Sequence, residues 1–377
     1  MNYLSTADST LFTNKHVMVR TDFNVPLNGP TVDSSESFRI DQSMETIQWL
    51  KRAGAKIILI SHIGRDGDTL LPVAHYIQSH YGNLDLEFVG AVAGNAVTDV
   101  VSRMNNGDCI MLENLRSDPR EETGSESLAS ELANLADYYV DDAFAVMHRD
   151  HVSITAIPKL LGPEKCFIGL LVETELKNLE PLLTPKSPSV VIMAGIKFET
   201  KLPLIEKLLP IYDHVILGGG LLNSYLRANN IYIADSVYDS GTDLSHLVGN
   251  EKIIIPESVV ITRDDETLTI GVNELQPHDV IVDIVISEGM KELLTDASTV
   301  LWNGPLGWYE RDFVQSSREI LDIINPDNQT IIVGGGDTVT LIKSLHMERK
   351  VTFLSTGGGA MLAYLQSGTL VGIDALE

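Results

Sequence analysis

The sequence predicts an α/β protein of two parallel-sheet domains joined by one helix. First, short apolar, β-branched runs alternate with helical patterns along the 377-residue chain. Second, residues 169–183 near the middle carry Leu and Val at helical spacing with Glu between them. Third, polar side chains follow the runs of the first half, whereas glycine follows those of the second half. The two halves therefore share an architecture but differ in chemistry.

Four apolar runs predict the strands of the first half, at residues 17–19, 57–60, 109–112 and 138–140. Each run leads into polar residues that a buried strand would not carry. Ligands bind at the carboxyl ends of the strands in an open parallel sheet, so these polar residues are candidate ligands. They are Asp22, Asn24, His62, Arg65, Asn114, Arg116, Asp142, His148 and Arg149.

The second half repeats this scheme after a connecting helix. Pro181 and Pro185 end the helical pattern of residues 169–183, which we interpret as the interdomain helix. The apolar runs that follow predict six further strands. They are residues 190–193, 215–217, 253–255, 299–302, 331–333 and 351–354.

The composition disfavours two classes of partner. The 27 basic and 52 acidic residues give a formal charge of −25, which repels nucleic acid and anionic lipid at long range. The first ten residues lack the layout of a signal peptide, and no apolar run reaches the length of a membrane span. We expect a cytoplasmic protein without nucleic-acid or membrane partners. We also expect Cys109 and Cys166 to be buried thiols without a catalytic role.

Arginine is the main cation of the first half, where Arg outnumbers Lys eight to three in residues 1–158. The planar fork of Arg matches carboxylate and phosphate oxygens. Taken singly, Arg39, Arg65, Arg116 and Arg149 would each be surface charges. Because arginines recur after predicted strands, the set predicts a pocket for a small anion.

Three glycine triplets mark the second half, at residues 218–220, 334–336 and 357–359. Each follows an apolar run and precedes a helical pattern, so free N–H groups and a helix N-terminus would face a phosphate. The alternative, a tight turn and nothing more, suits any one triplet but not all three. No GxxxxGK[ST] or GxGxxG pattern occurs, which disfavours P-loop and dinucleotide sites. The HRD string at 148–150 lacks the Asn that protein kinases place five residues later, where Thr155 stands.

Three side chains near these turns suit phosphoryl transfer. Asp337 follows the second triplet, where it suits a Mg²⁺ bridge to a nucleotide; the alternative is a helix cap. Lys197 and Lys201 would share one helix face, either as solvated charges or as cations that neutralise phosphate oxygens. No general base is evident, which is tolerable if the nucleophile is already an anion. These patterns predict a kinase that binds a small acid and a nucleotide.

Seven strings resemble the motifs of the phosphoglycerate kinase family, in the family's order. The resemblance runs from about Val17 to Leu376, and several long motifs in one order are far more specific than any single glycine pattern. The strings are VRTDFNVPL (19–27), SHIGR (61–65), LENLR (112–116), DDAFAVMHRDH (141–151), WNGPLGWYE (302–310), VGGGDT (333–338) and STGGGA (355–360).

The resemblance implies two doubly wound, Rossmann-like domains of a monomer that closes about a hinge. The phosphoglycerate-binding domain would comprise residues 1–168 and 360–377, and the nucleotide-binding domain residues 184–359. The implied reaction is a reversible, Mg²⁺-dependent transfer of a phosphoryl group from 1,3-bisphosphoglycerate to ADP, which gives 3-phosphoglycerate and ATP, as in glycolysis and gluconeogenesis.

The resemblance also implies roles for individual residues. Glu310 would contact the ribose, Asp337 would bind Mg²⁺, and Lys197 would contact the group in transfer. The implied phosphoglycerate site is Asp22, Asn24, Arg39, His62, Arg65, Arg116, His148 and Arg149. The implied nucleotide site is Gly195, Lys197, Lys201, Gly219, Asn303, Glu310, Gly335, Gly336, Asp337 and Thr338. The implied catalytic residues are Arg39, Lys197, Gly358 and Gly359.

The chain departs from the family's usual motifs in several places. Asp66 stands in place of Pro, Asp141 in place of Asn, and Thr200 in place of a carboxylate near the nucleotide. Residues 283–286 replace a DIGP motif. Asp150 adds a negative charge that either weakens substrate binding or faces away from the site. None of these changes removes a named catalytic cation, so we predict an active enzyme.

Two other classes of function stay open at this stage. A catalytically silent nucleotide-binding or scaffold protein would bind both ligands without turnover. A dehydrogenase of related architecture is disfavoured because the dinucleotide fingerprint is missing.

Overall fold

The computed structural model describes residues 1–33, 37–64, 68–196, 198–264 and 266–377. Two of the predicted site residues, Arg65 and Lys197, lie outside the described residues, as does Asp66. The chain forms two compact units. The first unit is Met1–Lys177 with Thr369–Glu377, and the second is Asn178–Gly368.

The first unit is built around a parallel sheet of six strands in its described residues, in the order β5-β6-β4-β1-β7-β8. Its strands are short and, apart from the edge strand β5, almost fully buried, which is typical of parallel sheets covered by helices on both faces. A small hairpin, β2-β3, lies apart from the sheet. The strands are β1 (His16–Thr21), β2 (Leu27–Asn28), β3 (Thr31–Val32), β4 (Lys56–Ile60), β5 (Leu86–Val89), β6 (Cys109–Leu112), β7 (Tyr138–Asp142) and β8 (Cys166–Ile168).

Helices follow most of these strands and bury apolar faces against the sheet. The helix α1, for example, buries Ile40, Met44, Ile47 and Leu50, at helical spacing, in the main core of this unit. The α-helices described between residues 38 and 179 are α1 (Phe38–Arg52), α2 (Leu71–His80), α3 (Asn95–Val101), α4 (Glu126–Ala133), α5 (Ile157–Leu161) and α6 (Leu170–Leu179). Val152–Ala156 forms one turn of π-helix before α5.

The predicted helix at residues 169–183 is confirmed as α6 followed by a 3-10 turn at Glu180–Leu183. Two hydrogen bonds to side chains of the first unit fix the N-terminus of α6. The Leu171 N–H donates to Asp142 Oδ1 at 2.9 Å, and the Leu170 N–H donates to Thr46 Oγ1 at 2.9 Å. Pro181 lies in the 3-10 turn, where a proline stops an α-helix from continuing.

The second unit contains a parallel sheet in the order β11-β10-β9-β15-β16-β17 and an antiparallel sheet in the order β13-β12-β14. Its strands are β9 (Ser189–Ala194), β10 (His214–Gly218), β11 (Ile253–Ile254), β12 (Ser258–Arg263), β13 (Glu266–Gly271), β14 (Val280–Ile284), β15 (Thr299–Asn303), β16 (Thr330–Gly334) and β17 (Phe353–Leu354). The helices from residue 202 onward are α7 (Leu202–Leu208), α8 (Gly219–Ala228), α9 (Glu288–Asp296), α10 (Gln315–Ile323), α11 (Gly336–Ser344), α12 (Gly358–Ser367) and α13 (Val371–Asp374), the last of which lies in the first unit.

Every predicted apolar run forms a strand, and the α/β class with two parallel-sheet domains is confirmed. The predicted runs did not include the hairpin strands β2 and β3, the strands β5 and β8, or the antiparallel sheet. The strand β8 has three residues, and β13 alternates polar side chains on a mostly exposed ribbon, so neither carries a long apolar run. The predicted domain boundaries stay predictions; Thr369–Glu377 lies with the first unit, while α12 lies with the second. Within the described ranges, no helix is long and apolar enough to cross a membrane.

Candidate active site

The polar residues of the first unit gather at one edge of its sheet. The strands β6, β4, β1 and β7 are neighbours and parallel, so their carboxyl ends meet at this edge. Asn114 follows β6 and fixes the loop after β4, because its side chain binds the backbone N–H and C=O of Ile63 at 3.2 and 2.9 Å. Asn114 also accepts the Arg116 N–H at 3.1 Å. It therefore shapes the edge and does not offer its own polar atoms to a ligand.

Asp22 lies at this edge, directly after β1. Its carboxylate is buried, and the Arg39 guanidinium donates to it at 3.1 Å. The same Arg39 nitrogen, Nη1, donates to the Asn24 carbonyl at 3.1 Å, and Asn24 Oδ1 accepts the Gly64 N–H at 2.9 Å. Arg39 is half-buried and held at one end, so its remaining N–H groups are available to an anion.

His62 is buried beside Asp22 and is held as a neutral imidazole. Burial lowers the pKa of His62 well below its usual value, and the nearby Arg20, Arg116, Arg149 and Arg39 lower it further. Arg20 Nη2 lies 3.2 Å from His62 Nδ1. Because a guanidinium can only donate, Nδ1 is the acceptor and the ring proton lies on Nε2. His62 thus offers one N–H to a ligand at neutral pH.

Arg20 is a buried cation at this edge that the sequence analysis missed. It lies inside β1, almost fully buried, and its guanidinium donates to the Thr21 carbonyl and, at 2.8 Å, to Ser153 Oγ. Ser153 Oγ in turn donates to buried Glu121 at 2.5 Å. The signal that could have found Arg20 is its position directly after the apolar run at residues 17–19, since a charge that continues a buried strand needs partners. Glu121 and Ser153, far away in sequence, supply them.

Arg116 and Arg149 add positive charge at this edge. Arg116 is half-buried, donates to the Gly64 carbonyl at 2.6 Å and pairs with Glu122 at 3.3 Å. Burial lowers the pKa of Arg116, and the like charge of nearby Arg149 lowers it further. Arg149 is exposed, and its guanidinium has no hydrogen bond or ion pair to another described residue. A bound anion would relieve this repulsion.

Two histidines flank these arginines. Burial and the charge of Arg149 lower the pKa of His148. Burial, Arg149, Arg20 and Arg116 likewise lower the pKa of His151, with Glu122 opposing them. His148 was predicted as a site residue, whereas His151 was not. Both are half-buried and neutral at pH 7, so each can donate or accept without adding charge.

Asp150, the additional carboxylate next to Arg149, is engaged locally. Its Oδ1 accepts a hydrogen bond of 2.5 Å from Thr155 Oγ1 in the π-helical turn, and the same hydroxyl lies 3.1 Å from the His151 carbonyl. Thr155 is also the residue that breaks the protein kinase pattern. Asp150 therefore stabilises the start of the turn at residues 152–156.

The second unit has a cavity of about 470 Å³ at the carboxyl ends of β9, β15 and β16. This volume suits a ligand of nucleotide size. Its walls combine glycine backbone with apolar side chains such as Val237, Ile281 and Leu306. The predicted nucleotide residues that line it are Gly195, Lys201, Gly219, Asn303, Glu310, Gly335, Gly336, Asp337 and Thr338.

All three glycine triplets open helices, namely α8, α11 and α12, as the sequence predicts. Two close backbone contacts require glycine. A Cβ at Gly358 would lie 2.8 Å from Gly335 Cα, and one at Gly220 would lie 3.0 Å from Ile196 Cα. Gly335 has φ of +99°, which L residues rarely adopt. The turns that follow β16 and β17 are therefore in close backbone contact. Gly358 and Gly359 do not line the cavity.

Lys201 is the cation of the cavity among the described residues that line it. Its ammonium donates to the Ala194 carbonyl and, at 2.7 Å, to Asn303 Oδ1. Burial lowers the pKa of Lys201 to about 8, although nearby Asp337 opposes the shift. The prediction that Lys201 shares a helix face with Lys197 is wrong, because α7 begins at Leu202. Pro203 in the first turn suits that later start.

Asp337 lies in the first turn of α11 with its carboxylate exposed to the cavity. The N-cap of this helix is Gly335, so the alternative of a capping side chain is not borne out. Tyr309 donates its hydroxyl to Asp337 Oδ1 at 3.0 Å. In the part of the chain that the structure describes, no cluster of three His, Cys, Asp or Glu side chains could hold a metal. A single carboxylate fits Mg²⁺ that is bound mainly by nucleotide phosphates and water.

Comparisons with known proteins agree on one family. A family model for phosphoglycerate kinase matches residues 7–368. The chain is 33% identical over 390 residues to the phosphoglycerate kinase of Wolbachia pipientis from Culex pipiens, covering 97% of both proteins. It is 34% identical over 384 residues to that of Thermomicrobium roseum, covering 96% of both. The solved phosphoglycerate kinase of Coxiella burnetii superposes with a TM-score of 0.84 at 27% identity, over 99% of this chain and 98% of that one.

Proposed function

The chain belongs to the phosphoglycerate kinase family, whose members are phosphotransferases of glycolysis, and from this premise we propose which residues carry the reaction. The chain is a kinase that transfers a phosphoryl group between 1,3-bisphosphoglycerate and ADP. The observation that carries our assignment of residues is the presence of two anion sites of different chemistry. One is built from arginine and histidine in the first unit, and the other from glycine turns in the second.

The first site would hold the phosphoglycerate. Arg39, Arg65, Arg116 and Arg149 neutralise its phosphate and carboxylate oxygens, and His62 donates its Nε2–H. Asp22 and Asn24 hold Arg39 and the loop at Gly64, and His148 lies beside Arg149. The repulsion between Arg116 and Arg149 supports this assignment, because a bound dianion attracts both cations and so offsets that repulsion.

The second site would hold the nucleotide. The N-termini of α8 and α11 offer backbone N–H groups of Gly219, Gly335 and Gly336 to its phosphates. Lys201 neutralises one phosphate, while Asn303 orients the lysine. Gly195 and Thr338 line the cavity, and Glu310 lies exposed at its wall, where a ribose hydroxyl could be bound.

The transfer needs no general base in this proposal. In the direction of ATP synthesis, a β-phosphate oxygen of ADP attacks the phosphorus of the acyl phosphate, and the bond from phosphorus to the carboxyl oxygen breaks. The nucleophile and the leaving carboxylate are both anions, so no proton moves. Lys197, Arg39 and the N–H groups of Gly358 and Gly359 would neutralise charge on the group in transfer.

Asp337 would hold the magnesium ion. When bound, Mg²⁺ neutralises phosphate oxygens and fixes their orientation. The exposed carboxylate next to the phosphate-binding turn supports this role. We further propose that the protein acts as a cytoplasmic monomer, as the resemblance implies.

A coupled turnover assay combined with calorimetric titration tests the proposal. We expect turnover of 3-phosphoglycerate with MgATP, and saturable binding of both 3-phosphoglycerate and MgADP. Binding of both ligands without turnover would instead identify a catalytically silent protein. Binding of NADH in the same calorimeter would support the dehydrogenase alternative and contradict ours.

A further inference from the structure

Tyr309 makes a contact that the proposed reaction does not use. Its hydroxyl donates to Oδ1 of Asp337 at 3.0 Å, although the two residues lie on separate segments. Tyr309 follows β15, and Asp337 lies at the start of α11. Both side chains line the cavity of the second unit.

The backbone around Tyr309 is fixed by several contacts. The Trp308 N–H donates to the Val282 carbonyl at 2.7 Å, and the Arg311 guanidinium stacks on the Trp308 ring at 4.0 Å. A Cβ at Gly307 would come within 2.3 Å of the Phe313 carbonyl oxygen, so the preceding backbone is closely packed. Tyr309 thus presents its hydroxyl from an anchored segment.

The same loop is also tied to the helix that carries Asp337. The Gly304 N–H donates to Thr338 Oγ1 at 2.8 Å, one residue beyond the carboxylate. The Tyr309 hydroxyl adds a second connection between loop and helix, this time to the carboxylate itself. The two contacts together set the position of α11's first turn and the rotation of the Asp337 side chain.

The Asp337 carboxylate depends on this contact for its orientation. It is exposed, so packing does not select its rotamer. Oδ2 has no hydrogen-bond partner among the described residues, while Oδ1 is held by Tyr309. Outer partners of this kind orient metal-binding carboxylates and contribute to metal affinity.

We propose that Tyr309 is a positioning residue that orients the Asp337 carboxylate to receive the metal ion of the bound nucleotide. The inference rests on the proposed function, because Asp337 is the metal ligand only there. It adds a residue that touches neither metal nor nucleotide in this role. Tyr309 acts through the carboxylate, so its effect is confined to binding that involves the metal.

The test is the variant Tyr309→Phe, which removes the hydroxyl and keeps the ring. Calorimetry measures the affinity for ADP once with Mg²⁺ and once with EDTA. In the variant we expect the gain in ADP affinity on adding Mg²⁺ to fall by about tenfold, the lower end of the range for an outer partner of a metal ligand. The affinity in EDTA stays unchanged. Electron paramagnetic resonance of Mn²⁺ in the Mn-ADP complex, a readout independent of activity, should show broader lines.

Two comparisons control for indirect effects. Tyr232→Phe removes a hydroxyl from an exposed tyrosine of the same unit, and it should leave the Mg²⁺-dependent gain unchanged. In an Asp337→Asn background, Tyr309→Phe should have no further effect on the Mg²⁺-dependent gain, since the two residues act as one unit. Thermal unfolding of each variant confirms that the fold is intact.

The remaining outcomes overturn the inference in distinguishable ways. An unchanged Mg²⁺-dependent gain in Tyr309→Phe shows that the hydroxyl does not position the carboxylate, and the proposed function stands. An equal loss of affinity with Mg²⁺ and with EDTA identifies a direct contact of Tyr309 with the nucleotide. Absence of any Mg²⁺-dependent gain in the wild-type chain overturns the metal role of Asp337 and this inference together.

Discussion

In the proposed function, the two units bind an anion with different parts of the chain. In the first unit the donors are side chains, and each cation needs its own support: Arg39 is held by Asp22, and Arg20 is held by Ser153. In the second unit the donors are backbone N–H groups at glycine turns, and Lys201 is the cation that lines the cavity in its described part.

This difference determines which substitutions should impair each site. A side-chain site fails when a donor or its supporting partner is removed, because a buried charge then loses its partner. A backbone site keeps its N–H donors in every substitution except one to proline. It fails when an added Cβ separates turns that are in contact. The predictions below test this contrast, in order of decreasing expected effect.

The largest effect is expected from Arg39→Ala. Removing the guanidinium deletes a proposed substrate contact and leaves the buried Asp22 carboxylate without its ion pair. We expect kcat/KM for 3-phosphoglycerate to fall by about 10²- to 10³-fold, as for loss of a charged hydrogen-bonded partner, with MgADP affinity unchanged. Steady-state kinetics and calorimetry measure the two effects. Arg103→Ala, an exposed arginine of the same unit, should change neither.

The second prediction concerns Gly358→Ala. The new Cβ would lie 2.8 Å from Gly335 Cα and 3.0 Å from its nitrogen, so the two turns must separate. We expect a loss of about 2 kcal/mol in unfolding free energy and a fall in MgADP affinity, with phosphoglycerate affinity retained. Gly289→Ala in helix α9 is the control, because its Cβ meets only Ser287 Oγ at 4.0 Å. Equal thermal midpoints for the two variants would refute the close-approach argument.

The third prediction is a pH dependence of nucleotide binding. Because the pKa of Lys201 is lowered to about 8, the free site loses its charge as the pH rises above that value. An anionic phosphate favours the charged form, so binding above pH 8 requires proton uptake. We expect ADP affinity to fall by up to about tenfold per pH unit there.

Calorimetry between pH 7 and 9 measures this slope. Repeating the titration in buffers of different ionisation enthalpy gives the number of protons taken up on binding. The variant Lys201→Met should bind ADP more weakly at pH 7 and show a flatter profile. A slope that is as steep in the variant as in the wild type would assign the titration to another group.

The fourth prediction concerns stability in the first unit. Burial raises the pKa of Asp141 to about 6, against the favourable contacts with the Ala143 N–H, Arg20 and Tyr139. The folded state thus binds this proton more tightly than the unfolded state, and ionisation destabilises the fold. Asp141→Asn should therefore stabilise the protein by about 1 kcal/mol above pH 6, since some attraction to Arg20 is also lost.

The gain should shrink as the pH falls through 6 and be small at pH 4, where the folded state carries the protonated acid and the unfolded state is only partly ionised. Chemical denaturation at pH 4 and pH 7.5 measures the difference. In the variant, the free energy of unfolding should still fall as the pH rises, because burial raises the pKa of Asp142 to about 7. A gain at pH 4 that equals the gain at pH 7.5 would contradict the assignment to ionisation.

The smallest effect is expected from Asp150→Ala. Because Asp150 accepts the Thr155 hydroxyl, its removal should lower stability by about 1 kcal/mol, the worth of one hydrogen bond. The KM for 3-phosphoglycerate should change less than about threefold, as for an exposed charge outside the contact. Thermal unfolding and steady-state kinetics measure both. A large fall in KM would show that the carboxylate repels the substrate.

Much of the fold could be predicted because its signals are local. Each apolar run forms a strand, and each glycine triplet opens a helix, since the preferences of strands and turns depend on a few neighbouring residues. The same pattern predicted which edge of each sheet carries the candidate site, because parallel strands bring their carboxyl ends together. Arg39, Asp22 and Lys201 were identified in this way, with the family resemblance supplying their roles.

The partners of these residues depend on contacts between distant parts of the chain. Arg20, Ser153 and Glu121 form one hydrogen-bonded group, yet Ser153 is 133 residues from Arg20. Tyr309 reaches Asp337 across 28 residues. Neither set of contacts leaves a periodic pattern or a fixed spacing in the sequence. Such side-chain hydrogen bonds depend on which residues the packed fold brings together. Composition and spacing were sufficient to predict two candidate anion sites. The tautomer of His62, the surroundings of Lys201 and the orientation of Asp337 depend instead on which side chains the fold brings together.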